Sequence, residues 1–160
     1  MELADQLEGV AQLKKLPFVD GARIGIWGWS YGGFMALHAA LNAGATFKVA
    51  VAGAPVTDWK LYDSIYTERY MKLPKENEAG YRETSLLAAA GKLTGKVQIQ
   101  HGTSDDNVHM QQSLLLIDAL SRARKGYEFV PLPKQKHGPR DPAYRLYSYQ
   151  RALEFLERNL

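Results

Sequence analysis

The sequence predicts an α/β layer structure built on a parallel sheet, and three observations carry that prediction. Four apolar runs of strand length, at 22–29, 48–55, 96–102 and 127–133, alternate with segments whose apolar residues recur at helical spacing. The first two runs are of the apolar type buried in a parallel sheet, as in strands covered on both faces. The first run also ends in GWSYGG, Gly28 to Gly33, directly ahead of the helical segment FMALHAALNAG, which makes a strand-turn-helix.

Along the chain, Leu3, Leu7, Val10 and Leu13 place an amphipathic helix over 2–16, ended by LPFVDG. ARIGIWGW is the first strand, Tyr31 to Asn42 a helix closed by Gly44, and KVAVAGAP the second strand. Residues 58–90 interrupt the alternation. They are rich in aromatic and polar side chains with one proline, and read as short helices joined by loops. KVQIQHG is the third strand, Met110 to Arg124 a helix with Leu114, Ile117 and Leu120 inward, and YEFVPLP the fourth strand. A closing helix carries Leu146, Tyr149, Leu153 and Leu156 on its apolar stripe.

The 160 residues, 46% hydrophobic and 23% charged, suffice for one domain with its own core. The absence of cysteine excludes a disulfide framework, a thiolate nucleophile and a cysteine metal site. No apolar run nears the roughly 20 residues of a membrane span, and MELADQLEGV lacks the basic-then-apolar order of a signal peptide. The net charge of +3 is scattered, and its two clusters, Ser121 to Lys125 and Pro133 to Arg140, lack interleaved aromatics. They read as solvated surface, so no nucleic-acid partner is expected. The compartment stays open.

Ser30 is the candidate nucleophile. A sharp strand-to-helix turn strains the serine backbone and lifts its hydroxyl above the sheet, and glycines at 28 and 32 would remove side chains that collide there. The following helix aims its N-terminus at the same place, so the Tyr31 N–H can donate to a developing oxyanion. A serine hydroxyl needs a base, and the base a carboxylate that fixes its tautomer. On this fold the chain order is Ser, Asp or Glu, His. HGTSDDNVH after the third strand offers Asp105 and Asp106, and KHGP after the fourth offers His137, both just beyond carboxyl ends of strands. Of the other histidines, His38 reads as a helix packing residue, His101 as holding a turn, and His109 as surface or site. There is no phosphate loop with lysine, no dinucleotide fingerprint and no metal-ligand cluster, so neither cofactor nor metal is expected.

GWSYGG, APVTDWKLYDSIYTERYMKLP and HGTSDDNVHMQQS together resemble the catalytic domain of serine peptidases of the prolyl oligopeptidase family, in its dipeptidyl peptidase IV branch. The resemblance covers nearly the whole chain and implies an α/β-hydrolase fold. It implies that Ser30 is the nucleophile, Asp105 the triad acid and His137 the base, with Asp106 a loop neighbour. It further implies that Asn107 holds a substrate carbonyl. Tyr31, Val56, Trp59, Tyr62, Tyr66 and Val108 would form a small apolar pocket for proline or alanine before the scissile bond. Flat aromatic walls suit a compact ring, although the spacing of Trp59, Tyr62 and Tyr66 also fits a helix face packed in a core.

On this resemblance, residues 1–160 form a single partial catalytic domain holding only the second half of the sheet, about four strands. It would lack the propeller domain, the acidic residues that bind a substrate amino terminus, and an upstream tyrosine that supplies a second oxyanion donor. The expected function is a serine peptidase cleaving after proline or alanine through an acyl-enzyme. The alternatives are a carboxylesterase acting on short-chain esters, or a catalytically weak module that self-assembles. Peptide or ester substrates are the expected partners, together with further copies of the chain through an exposed sheet edge or bare helix faces.

Overall fold

The computed structural model describes residues 2–160. In chain order its elements are α1 (Glu2–Leu13), β1 (Gly25–Trp29), α2 (Tyr31–Asn42), β2 (Val49–Gly53), a 3-10 turn (Trp59–Leu61), α3 (Ser64–Met71), α4 (Glu78–Thr84), α5 (Leu86–Ala89), a second 3-10 turn (Ala90–Lys92), β3 (Lys96–Gly102), α6 (Gln111–Arg122), β4 (Glu128–Leu132) and α7 (Pro142–Asn159). The four strands form one parallel sheet in the order β1-β2-β3-β4. Residues 58–90 are short helices joined by loops, as expected from their composition.

The side-chain period of two sorts β2 between the two faces of the sheet. Ala50 and Ala52 join Phe34, Leu37, Leu41, Leu86, Leu116 and Leu120 in the main core under α2, α5 and α6. Val49 and Val51 meet Ala152 and Phe155 of α7 on the other face. Helix α1 adds Val10 against Ala39 and Phe47. The result is a three-layer sandwich in which all of β2 is buried.

Two apolar stripes differ from their periodicity. On α7 the buried residues are Ser148, Ala152 and Phe155, whereas Leu146, Tyr149 and Leu153 are each more than half exposed. The cause lies on β3, which turns Gln98 and Gln100 toward α7. Gln100 donates to the Ser148 carbonyl at 3.0 Å and accepts from the Ser148 hydroxyl at 2.5 Å, and Gln98 donates to the Arg151 carbonyl at 3.1 Å. A polar strand face selects a small polar helix face, since each buried amide must be paired. On α6, Leu116 and Leu120 are buried and Leu114 is exposed.

Glycine 44 also has a different role from the one its position suggests. Helix α2 is capped by Ala43, and no glycine has positive φ. A Cβ on Gly44 would run into the Thr94 hydroxyl, so the residue permits close approach rather than a left-handed cap.

Candidate active site

The turn after β1 is built by close backbone contacts. Ser30 has φ 60° and ψ −119°, a conformation rarely adopted by a side-chain-bearing residue, and its N–H donates to the Gly53 carbonyl at 2.8 Å. Any Cβ on Gly28 would lie inside the backbone of Gly32, and one on Gly33 would sit 2.6 Å from the Gly53 carbonyl oxygen. Gly32 itself has open space where a Cβ would go. The tight pair is therefore Gly28 and Gly33, not Gly28 and Gly32. Gly53, opposite Trp29 in the register, is bare because the Trp29 ring occupies its side-chain space.

Three loops at the carboxyl ends of β1, β3 and β4 bring Ser30, Asp105 and His137 together. His137 Nε2 lies 2.8 Å from Ser30 Oγ, and its Nδ1 lies 2.9 Å from Asp105 Oδ2. A carboxylate can only accept, so Nδ1 carries the proton and the Nε2 lone pair faces the serine hydroxyl. The other Asp105 oxygen accepts the backbone N–H groups of Asn107 and Val108, each at 3.0 Å. Burial pushes the Asp105 carboxyl up, but hydrogen bonds from His101, His137 and the Asn107 N–H outweigh it and hold the group well below the usual carboxylate range. It is ionised at neutral pH.

The histidine loop is tied down separately. The Trp29 indole N–H donates to the His137 carbonyl at 2.5 Å, and the Ser104 N–H donates to the Gln135 carbonyl at 3.0 Å. Lys136 pairs with Asp106 across the two loops, which gives Asp106 a loop-fastening contact away from the triad. Tyr31 occupies the first position of α2, where a backbone N–H has no carbonyl one turn back to bond. His38 is half-buried in α2, stacked on Phe34, with its pKa lowered by burial, and His109 is exposed.

The aromatic residues gather beside this triad. Trp59 lies 6.1 Å from Tyr31, 5.1 Å from Phe34, 6.1 Å from Tyr62 and 6.0 Å from Tyr66, centroid to centroid. Val56 and Val108 are buried in the same core cluster as Trp59, and the Tyr62 hydroxyl donates to Asn107 Oδ1 at 2.8 Å. Burial raises the phenol pKa of Tyr31, Tyr62 and Tyr66, so all three stay protonated. A cavity of about 470 Å³ opens against Tyr31, Trp59, Tyr66 and His38; Ser30, Val56, Tyr62 and Val108 do not line it. Of the six expected pocket residues, Tyr31, Trp59 and Tyr66 line this cavity, and Val56, Tyr62 and Val108 do not.

Sequence patterns did not disclose the residue that holds the aromatic segment in place. Gln112, buried at the start of α6, accepts from the Thr57 N–H at 2.7 Å and donates to the Leu61 carbonyl at 3.2 Å, and its own carbonyl accepts from the Thr57 hydroxyl at 2.8 Å. A polar residue at a helix start reads as surface unless its distant partner is known. Among the described residues there is no cluster of metal-ligating side chains, and no helix is long and apolar enough to cross a membrane.

A hydroxyl raised on a strained strand-to-helix turn, over a parallel sheet and against an oriented imidazole, is the organising feature of the α/β-hydrolase class. Within that class the chain belongs to the prolyl oligopeptidase family, whose family model matches residues 1–160. It is 46% identical over 140 residues to a probable dipeptidyl-aminopeptidase B of Metarhizium robertsii, and 48% identical over 141 residues to one of Uncinocarpus reesii. Each match covers 86% of this chain and 15% of the relative, so the chain spans about one-seventh of the length of these proteins. The crystal structure of Porphyromonas gingivalis dipeptidyl peptidase 4 superposes with a TM-score of 0.94 at 43% identity, covering 99% of this chain and 23% of that one. A putative dipeptidyl aminopeptidase IV from Bacteroides ovatus gives 0.94 at 40%, covering 99% and 22%.

Proposed function

We propose that residues 1–160 form one catalytic-domain segment of a serine peptidase of dipeptidyl peptidase type. The observation that carries this reading is His137, held between Ser30 Oγ at 2.8 Å and Asp105 Oδ2 at 2.9 Å. Ser30 Oγ attacks the substrate carbonyl carbon while His137 Nε2 takes the hydroxyl proton. The oxyanion turns to the Tyr31 N–H. Collapse of the adduct expels the leaving group, which takes the proton back from His137, and water releases the acyl group by the same steps. Tyr31, Val56, Trp59, Tyr62, Tyr66 and Val108 together would favour proline or alanine before the cleaved bond. Asn107, bonded to Tyr62, would orient a substrate carbonyl.

Solvent reaches the site, with the His137 side chain 26% exposed, and this favours activated esters as a second substrate class because their leaving group needs less protonation. The test is fluorophosphonate labelling of the purified chain read by intact mass, followed by rates on a prolyl anilide and a short-chain ester. One adduct, mapping to Ser30, is expected. A folded chain that takes up no adduct overturns the reading and leaves the self-assembling module. A rate on the ester alone reassigns the chain as a carboxylesterase.

Self-association belongs to the same proposal. The outer edge of β1 has no strand partner among the described residues, and Trp27 on that strand packs its half-exposed ring 5.6 Å from the exposed Tyr149 of α7. With Leu146 and Leu153 exposed on the same helix, this edge and helix face would bury against a second copy. Sedimentation at micromolar concentration is expected to show a dimer or larger, and a strictly monomeric species overturns it. Trp27→Lys should shift the equilibrium toward monomer.

A further inference from the structure

We infer that His101 is a positioning residue that holds the triad acid and the loop through Val108 at the same time, an inference that rests on the serine-hydrolase reading above. His101 is completely buried near the end of β3. Its Nε2 lies 2.8 Å from the Val108 carbonyl oxygen and 3.4 Å from Asp105 Oδ2, and its Nδ1 lies 2.6 Å from the Ser113 hydroxyl of α6.

These contacts assign the proton. Both groups facing Nε2 can only accept, so Nε2 carries hydrogen, and the Ser113 hydroxyl lies against Nδ1. His101 is thus oriented from α6 and donates into the loop that follows it. The loop wraps around the ring: residue 101 supplies the donor, residue 105 the acid, residues 107 and 108 the amides that hold the acid, and residue 108 the carbonyl that closes the circle. Losing the Nε2 donor would leave the buried Val108 carbonyl unpaired and free both Asp105 and Val108 to move. A displacement of about 1 Å in such a constellation costs on the order of a hundredfold in rate.

Asp105 Oδ2 faces both histidines, 2.9 Å from His137 Nδ1 and 3.4 Å from His101 Nε2, so His101 helps hold the oxygen on which His137 depends.

Two amide substitutions separate positioning from bulk. In His101→Gln the amide reaches the position of Nε2, and in His101→Asn only that of Nδ1. Labelling rates with a fluorophosphonate across pH 5 to 9 should stay within about threefold of the parent for His101→Gln. For His101→Asn they should fall by about tenfold to a hundredfold at every pH. Equal rates for parent and His101→Asn overturn the inference, as does an equal loss in both variants, which would show that only the ring's volume matters. An unlabelled parent instead overturns the underlying serine-hydrolase reading. Should His101→Asn not fold, nitrogen NMR of the parent decides: protonated Nε2 is expected, and a bare Nε2 overturns the assignment.

Discussion

Asp105→Asn is expected to slow turnover at Ser30 by about ten-thousandfold while the chain stays folded. The size of the effect follows from the two faces of the carboxylate. One oxygen accepts from the amides of Asn107 and Val108 and the other from His137 Nδ1. An asparagine can satisfy only one of these faces as an acceptor. If its oxygen keeps the two backbone amides, its NH₂ points at His137 Nδ1, which must then become the acceptor. The ring proton moves to Nε2, and Ser30 loses its base. If the amide turns over, its NH₂ meets two N–H donors, and the loop that also carries Val108 is pushed apart. His137→Ala removes the base outright and should cost more, on the order of a millionfold. Rates on a short-chain ester at pH 8, with circular dichroism as the control for folding, check both variants. Activity within tenfold of the parent for Asp105→Asn would show that the carboxylate does not orient His137.

The same carboxylate gives the fold an acid limit with a predictable sign. Its hydrogen bonds depress its pKa in the folded chain below its value in the unfolded one, near 4. The stability it contributes is therefore complete above about pH 4 and is lost as the pH falls toward the lower folded value. Denaturant unfolding between pH 6 and pH 3 should show a steeper acid loss for the parent than for Asp105→Asn, which has no group to protonate there.

Much of this arrangement is legible in the residues themselves. All four strands lie within the runs that predict them, and Ser30, Asp105 and His137 sit in loops at the ends of three of them. What is not legible depends on partners far along the chain. Leu146, Tyr149 and Leu153 have sound helical spacing, yet Ser148 takes the buried face because Gln98 and Gln100, some fifty residues earlier, present amides to it. Gln112 looks like surface until Thr57 and Leu61 are found on it. His101 could be read as holding a turn, and it does, but its contact with the triad acid depends on how the loop folds back. Glycine spacing shows the same limit. A pattern with glycine two residues to either side of the serine implies two equal constraints, whereas the backbone contacts fall on Gly28 and Gly33.

That asymmetry gives the second large effect. Gly28→Ala is expected to lower stability by about 3 kcal/mol and to abolish labelling of Ser30, whereas Gly32→Ala should leave the melting temperature unchanged or raised. A methyl group on residue 28 would occupy the position of the Gly32 carbonyl and Cα, and these are backbone atoms that no rotamer change can move. Relief requires the turn to open. Opening it withdraws the Ser30 N–H from the Gly53 carbonyl and carries Ser30 Oγ away from His137 Nε2, so stability and reactivity fall together. At residue 32 the added methyl meets nothing, and the helix gains from alanine's higher propensity, up to about 1 kcal/mol. For a chain of this size 3 kcal/mol is a drop of roughly 10 °C in melting temperature, readily seen by circular dichroism. A Gly28→Ala variant that melts with the parent and still labels would mean that the turn can relax without its tight contact, and that the strain at Ser30 is not what holds the hydroxyl in place.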